Sequence, residues 1–231
     1  LVTAARTEGP ETLVGALVRV AVDGSETVRL TEANLDVSHP LVSGDDIWFV
    51  GTDLGESGMD FVAAHSGVYR LHDGSPALLT DAESLIEGPL TPTVDGVLAV
   101  AESRGASQVF RVTGAGAELL LDSDAGVLIF GCGTVGARPA ADSPIMLTYR
   151  TGVGMDEVGL LEAGTVRPLT DFSAALRAAA RVREPQELTA AAPDGHPVHG
   201  WVVSPGGEGP HPVLLLIHGG PFAQYTSAFF D

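Results

Sequence analysis

Gly67-Val68-Tyr69-Arg70-Leu71-His72-Asp73-Gly74 runs on to Leu79-Thr80, and its shape recurs along the chain. It reads as a short apolar strand, a tight turn, and a second strand that ends in Leu-Thr or an equivalent. Three further copies have the same layout. They are Leu17-Val18-Arg19-Val20-Ala21-Val22-Asp23-Gly24 to Leu30-Thr31, Gln108-Val109-Phe110-Arg111-Val112 to Leu120-Leu121, and Glu157-Val158-Gly159-Leu160-Leu161 to Leu169-Thr170. The copies end at 31, 80, 121 and 170, in steps of 49, 41 and 49 residues. A period of roughly 40–50 residues made of short strands is the spacing of a β-propeller blade.

Other apolar strands lie between the copies: Asp46-Ile47-Trp48-Phe49-Val50, Gly96-Val97-Leu98-Ala99-Val100-Ala101 and Ile145-Met146-Leu147-Thr148-Tyr149. Each repeat therefore holds enough strands for a four-stranded sheet. Asp23-Gly24 and Asp73-Gly74 are hairpin-turn signals, since a tight turn needs a positive φ that glycine accepts. The competing fold is an irregular β-sandwich. About four repeats are visible and a propeller closes with roughly 4–8 blades, so earlier blades are expected to precede Leu1.

Composition agrees with a globular β-rich chain. Hydrophobic residues are 45% and charged ones 18% of the 231 residues, too apolar for disorder. The 29 glycines and 15 prolines imply many turns. The formal charge is −18, and all 12 basic residues are arginine. Such a surface repels phosphate, which argues against nucleic acid or an anionic membrane as partner. No apolar run reaches the ~18–20 residues of a membrane span. Cys132 stands alone, so no intrachain disulfide forms, and a lone thiol suits a reducing, cytoplasmic location.

From Asp171 the character changes. Phe172 to Arg181 is rich in alanine and predicts a short helix, ended by Pro185. Two strands follow around Pro193-Asp194-Gly195, the second being Val198-His199-Gly200-Trp201-Val202-Val203. After the turn Gly206-Gly207-Glu208-Gly209-Pro210 comes Pro212-Val213-Leu214-Leu215-Leu216-Ile217-His218-Gly219-Gly220-Pro221. Five consecutive apolar residues predict a strand buried on both faces, as in a parallel sheet. The glycines after it can bring a bare backbone N–H to a ligand, which suits half of an oxyanion hole.

Several motif-like stretches carry no chemistry on inspection. Gly131-Cys132-Gly133-Thr134-Val135-Gly136 matches a dinucleotide fingerprint, but Pro139 and Pro144 forbid the helix such a site requires. Asp122-Ser123-Asp124-Ala125-Gly126 lacks the remaining ligands of a calcium loop. The acidic run Asp45, Asp46, Asp53, Glu56 and Asp60 reads as a solvated face. His196 and His199 flank a turn between strands, where i and i+3 point to opposite faces, so zinc is discarded. Gly55-Glu56-Ser57-Gly58-Met59 is not a nucleophile elbow, because it lacks the final glycine and a preceding buried strand. No metal or cofactor is expected, and no catalytic triad is recognisable.

The order of elements resembles one family. Strand repeats run into Glu184-Pro185-Gln186-Glu187-Leu188-Thr189, then Asp194-Gly195 with Val198, Gly200-Trp201-Val202-Val203 and Pro205, then Pro212 to Phe222. This is similar to the prolyl oligopeptidase family of serine peptidases, and the His-Gly-Gly-Pro form to its acylaminoacyl-peptidase branch. Residues 184–231 carry the specific match. Residues 1–170 match as a propeller of suitable period.

The resemblance implies a mainly β chain: a partial β-propeller over 1–172, a linker over 173–184, and the opening strands of an α/β-hydrolase domain over 185–231. It places an oxyanion-hole N–H on Gly220, with His218, Gly219 and Pro221 as the supporting loop and His218 as a brace, not a base. The Ser, Asp and His of the triad would lie on further polypeptide, the expected partner, and the substrate would be a short peptide. Homo-oligomers are compatible with this reading. The competing function is a non-catalytic propeller scaffold or binding module. An esterase with the same loop fits less well, since simple esterases use small lids.

Overall fold

Residues 97–101 alternate strictly between two apolar neighbourhoods. Val97, Ala99 and Ala101 face one core and Leu98 and Val100 face another, all buried. A strand buried on both faces must belong to a sheet stacked between two others, and this alternation sets the architecture. The structure is a computed structural model that describes residues 2–6 as backbone, and 14–32, 34–62, 64–123, 127–135, 140, 142–220 and 224–229 in full.

Four antiparallel sheets follow one another along the described chain. The first holds β1 (Val2–Arg6), β2 (Gly15–Val20) and β3 (Thr27–Arg29). The second holds β4 (Leu35–Ser43), β5 (Asp46–Asp53), β6 (Ser66–His72) and β7 (Ser75–Leu78). The third holds β8 (Ile86–Pro92), β9 (Gly96–Ser103), β10 (Ala106–Thr113) and β11 (Gly116–Asp122). The fourth holds β12 (Leu128–Thr134), β13 (Ile145–Arg150), β14 (Glu157–Glu162) and β15 (Thr165–Pro168). Strands pair with their sequence neighbours in every sheet, the up-and-down order of a propeller blade. A helix α1 (Ala174–Ala179) and a two-stranded sheet of β16 (Gln186–Ala191) and β17 (Pro197–Val202) complete the set.

The cores lie between sheets. Leu17 of the first packs with Leu35, Val37, Phe49 and Leu71 of the second. Trp48, Val50 and Val68 of the second meet Ile86, Leu90, Val97, Ala99, Ala101 and Val112 of the third. Leu98, Val100, Val109 and Leu121 of the third meet Ile129, Ile145, Leu147 and Tyr149 of the fourth. Small Ala99 and Ala101 share a cluster with the large Trp48, the mixture of sizes that close packing between sheets needs.

The Leu-Thr ending of the repeat has a physical cause. In the second sheet Leu79 N–H donates to the Val68 carbonyl at 2.9 Å. The Val68 N–H in turn donates to Thr80 Oγ1 at 3.1 Å. The first sheet repeats this with Leu30 to Leu17 at 2.8 Å and Leu17 to Thr31 Oγ1 at 3.0 Å. The fourth does so with Leu169 to Val158 at 2.8 Å and Val158 to Thr170 Oγ1 at 2.9 Å. Consecutive Leu and Thr thus satisfy both backbone groups of one residue on the strand before the last, Val68 and Leu17 being buried and Val158 half-buried. The third sheet has no Leu-Thr there, and Ser123 takes both roles. Its N–H donates to the Ser107 carbonyl at 3.2 Å, and its Oγ accepts from the Ser107 N–H at 3.2 Å.

In the fourth sheet the clasp is extended by Glu157, which is 8% exposed. Its carboxylate accepts from Thr170 Oγ1 at 2.5 Å, Phe172 N–H at 2.9 Å and Ser173 N–H at 2.8 Å. Burial pushes its pKa up, but these hydrogen bonds outweigh burial and hold it down at about 2. Ser173 Oγ accepts from Met155 N–H at 2.8 Å, so the chain entering α1 is tied to the fourth sheet.

Two outcomes are expected. Thr80→Val strands the buried Val68 N–H and costs about 1–3 kcal/mol; urea unfolding should show a lower midpoint at unchanged slope, and an unchanged midpoint would refute the clasp. For Glu157 the folded pKa lies below the unfolded one, so its contribution is complete above about pH 4.5 and drains away as pH falls towards about 2. Glu157→Gln should lower the melting temperature at pH 7 and flatten its fall over that window.

Candidate functional site

The loop at residues 218–220 is followed by a segment that lies across the ends of two blades. In each four-stranded sheet the second and third strands are joined on one edge: Arg104 and Gly105 join β9 to β10, and residues 151–156 join β13 to β14. Residues 224–229 bridge these two turns. Ser227 N–H donates to the Gly105 carbonyl at 3.3 Å, and Phe229 N–H to the Thr151 carbonyl at 2.9 Å. Arg150 Nη1 donates to the Phe229 carbonyl at 3.2 Å, and Gln224 Nε2 to Glu102 Oε2 at 2.7 Å. From β17, Trp201 Nε1 donates to the Tyr225 carbonyl at 3.3 Å.

His218 is held to this anchor. Its ring lies 5.2 Å from that of Tyr225, tilted by 53°. Its Nδ1, assigned as the protonated nitrogen, donates to the Gly219 carbonyl at 2.9 Å. Gly220 has a φ of +155°, a conformation essentially confined to glycine. No described residue accepts a hydrogen bond from its N–H. Pro221 lies outside the described residues. The geometry leaves the Gly220 N–H, like those of the segment before it, without a described acceptor, at the end of a loop braced by an imidazole. Among the described residues no serine, histidine and carboxylate are hydrogen-bonded in series.

The approach to the loop differs from the sequence-based expectation. Val213 to Ile217 was expected as a strand buried on both faces; instead it has no ladder and is 68–91% exposed. A strand acquires its ladder and its burial from neighbours on both sides, and no described strand lies beside this one. Sheet β16–β17 is similarly bare, with Leu188, Val198 and Val202 exposed.

The remaining candidate motifs have structural roles. Gly131-Cys132-Gly133-Thr134 is part of β12, with Gly136 outside the described residues. Burial pushes the Cys132 thiol up to about 12, which leaves it unreactive at neutral pH. Ser123 of the calcium-like stretch is the clasp residue already described, and Asp124 to Gly126 lie outside the described residues. His199 Nε2 pairs with Glu187 Oε1 at 2.8 Å across β16 and β17, and its ring meets Trp201 edge-on.

One feature escaped the sequence. Glu102, which accepts the Gln224 amide, lies within hydrogen-bonding reach of Glu87 on the adjacent strand β8. Burial and the Glu102 charge raise the Glu87 pKa. Beside them a hollow of about 340 Å³ is lined by Asp81, Glu83, Glu102, Gln108 and Phe110. The two glutamates are far enough apart in sequence that no local pattern joins them.

The anchor depends on a close approach at Gly152. A Cβ there would lie 2.4 Å from Pro185 Cδ and 3.0 Å from the Ser227 carbonyl. Gly152→Ala should therefore lift residues 184–185 and 227 from the blade. The expected reading is faster amide exchange at Ser227 and Phe229 with unchanged exchange in β9 and β10; equal exchange at all four places would contradict the anchor.

Comparison with known proteins supports the architecture. No protein-family model matches the sequence, and no curated protein does. Among solved structures, an acylaminoacyl peptidase from Pyrococcus horikoshii superposes with a TM-score of 0.75 at 18% identity, over 99% of this chain and 34% of that one. A puromycin hydrolase superposes with a TM-score of 0.54 at 18% identity, over 81% of this chain and 29% of that one. The chain thus spans about a third of the length of the solved proteins it matches. At this identity the likeness speaks to fold: the chain is a succession of propeller-type blades followed by a short β element, an arrangement that superposes over nearly its whole length on the acylaminoacyl peptidase and over 81% of it on the puromycin hydrolase.

Proposed function

We propose that this chain is part of a serine peptidase of the prolyl oligopeptidase family, similar to acylaminoacyl peptidases, with blades to residue 172, a link over 173–184 and the opening of a hydrolase domain over 185–231. The carrying observation is the Gly220 N–H, left without a described acceptor at the end of a loop tied to the blade turns. A preorganised donor of this kind stabilises the oxyanion that forms when a serine attacks a peptide carbonyl, and one such donor is typically worth ~3–4 kcal/mol of barrier. The nucleophile, its histidine base and its aspartate belong to further hydrolase polypeptide, and the substrate is a short peptide. The fold shared with an acylaminoacyl peptidase and a puromycin hydrolase supports this reading. So do the uncovered Val213–Ile217 backbone and the bare antiparallel β16–β17 sheet, whose exposed apolar residues flanking strands of a mixed sheet would cover.

The test uses the intact protein with a fluorophosphonate probe and an N-acyl-peptide anilide. One serine outside residues 1–231 should be labelled, and the anilide hydrolysed. Gly220→Pro removes the N–H and, with φ fixed near −65°, also the loop's +155° conformation, so kcat should fall by at least about 10²–10³-fold. Labelling of a serine within 1–231, or of none, overturns the proposal and favours a scaffold.

A further inference from the structure

We propose that Tyr225 is a positioning residue for the loop at residues 218–220: its ring holds the His218 imidazole, and the imidazole fixes where the Gly220 N–H points. This rests on the peptidase reading above and adds to it a residue that acts on the donor through its brace.

The link from imidazole to donor is one peptide unit. His218 Nδ1 donates to the Gly219 carbonyl at 2.9 Å. That carbonyl and the Gly220 N–H belong to the same planar, trans peptide, so they point in opposite directions. Holding the carbonyl therefore aims the N–H. The unit lies between two glycines, which leaves it free to turn over unless something outside it intervenes. Turned over, it would present a carbonyl where an oxyanion needs a donor at about 2.7–3.1 Å.

The surroundings offer little other restraint. Val213 to Ile217 have no ladder and are exposed, and a Cβ at Gly219 would meet nothing within 4 Å. Among the described residues, one hydrogen-bond or ring contact ties 213–220 to chain outside that stretch: the His218 ring on the Tyr225 ring, 5.2 Å between centroids and tilted by 53°. Tilted aromatic pairs gain beyond the area they bury. Tyr225 is itself held. Its carbonyl accepts from Trp201 Nε1 on β17 at 3.3 Å, and two residues on Ser227 N–H donates to the Gly105 carbonyl at 3.3 Å. The contact is made by the ring. No described residue is hydrogen-bonded to the Tyr225 hydroxyl. Trp201, Tyr225, His218 and the 219–220 peptide thus stand in series.

The test is steady-state kinetics of the intact protein on the N-acyl-peptide anilide. The variants are Tyr225→Ala, Tyr225→Phe, His218→Ala and Tyr225→Ala/His218→Ala. Endpoint fluorophosphonate labelling counts the competent sites in each, so kcat is expressed per labelled site and misfolding does not mimic a loss. Tyr225→Ala should lower kcat about three- to tenfold, the size of one aromatic pair, with KM unchanged, since aim matters in the transition state. Tyr225→Phe should restore kcat. In the His218→Ala background Tyr225→Ala should cost nothing further. An unchanged kcat in Tyr225→Ala, a loss that Tyr225→Phe does not restore, an equal loss in both backgrounds, or a raised KM in place of a lowered kcat each overturns the inference. An unaltered protein with neither label nor turnover refutes the peptidase reading; a labelled, active protein whose kcat ignores Tyr225 refutes this inference alone.

Discussion

Each blade depends on one reciprocal pair of hydrogen bonds. A residue on the strand before the last has an N–H and a carbonyl that its own ladder leaves unpaired, and the end of the last strand supplies partners for both. Leu79 and Thr80 do this for Val68, Leu30 and Thr31 for Leu17, and Leu169 and Thr170 for Val158. Without that return the fourth strand would be a short edge strand; β15 runs only from Thr165 to Pro168. The chain could then leave the blade in many directions, and the next inner strand would have no fixed starting point. In the third sheet the Ser107 hydroxyl shows the consequence directly, since it accepts from Ile129 N–H at 2.8 Å and so joins the clasp to the following sheet.

The same edge that the clasps order is the edge on which the candidate site is assembled. Glu157 links the last clasp to Phe172 and Ser173, where the chain leaves the blades. Residues 224–229 then return to the turns of the third and fourth sheets. The loop at residues 218–220 lies in sequence between Trp201 on β17 and Tyr225, which are hydrogen-bonded to each other. The chain after the loop is therefore held by blade turns far from it in sequence, and the proposed role of the Gly220 N–H would rest on their rigidity.

The blade architecture was legible because the clasp demands a hydroxyl and an apolar residue at one offset, which leaves a repeat in the sequence. A second repeat went unread. Ser38-His39-Pro40-Leu41 and Glu87-Gly88-Pro89-Leu90 both fall at inner strands where the register shifts, with φ of +49° at His39 and +71° at Gly88. Proline cannot donate to a ladder and marks such a bulge. In the fourth sheet Phe130-Gly131 occupies the shift without a proline, which hides the pattern. The Val213–Ile217 stretch shows the limit of pattern reading. Five apolar residues encode a preference for a covered environment, whereas burial depends on strands that must be present alongside. The Glu87–Glu102 pair was beyond reach because register, not sequence distance, brings the two together.

Most contacts of the anchor are made through the backbone. Ser227 to Gly105 and Phe229 to Thr151 join backbone to backbone, and Trp201 and Arg150 each donate to a backbone carbonyl. Such contacts leave most side chains at the junction free to vary. The constraint moves instead to volume: position 152 must stay small because Pro185 and the Ser227 carbonyl approach it. Charge is handled in the same spirit. Between acidic blades and the returning segment, the side-chain contact to Glu102 is made by the neutral amide of Gln224, not by a cation. Apart from Arg150, whose guanidinium donates to the Phe229 carbonyl, the named donors of the junction are neutral, so it owes little to screened Coulomb attraction and salt should not separate the two parts even at a net charge of −18.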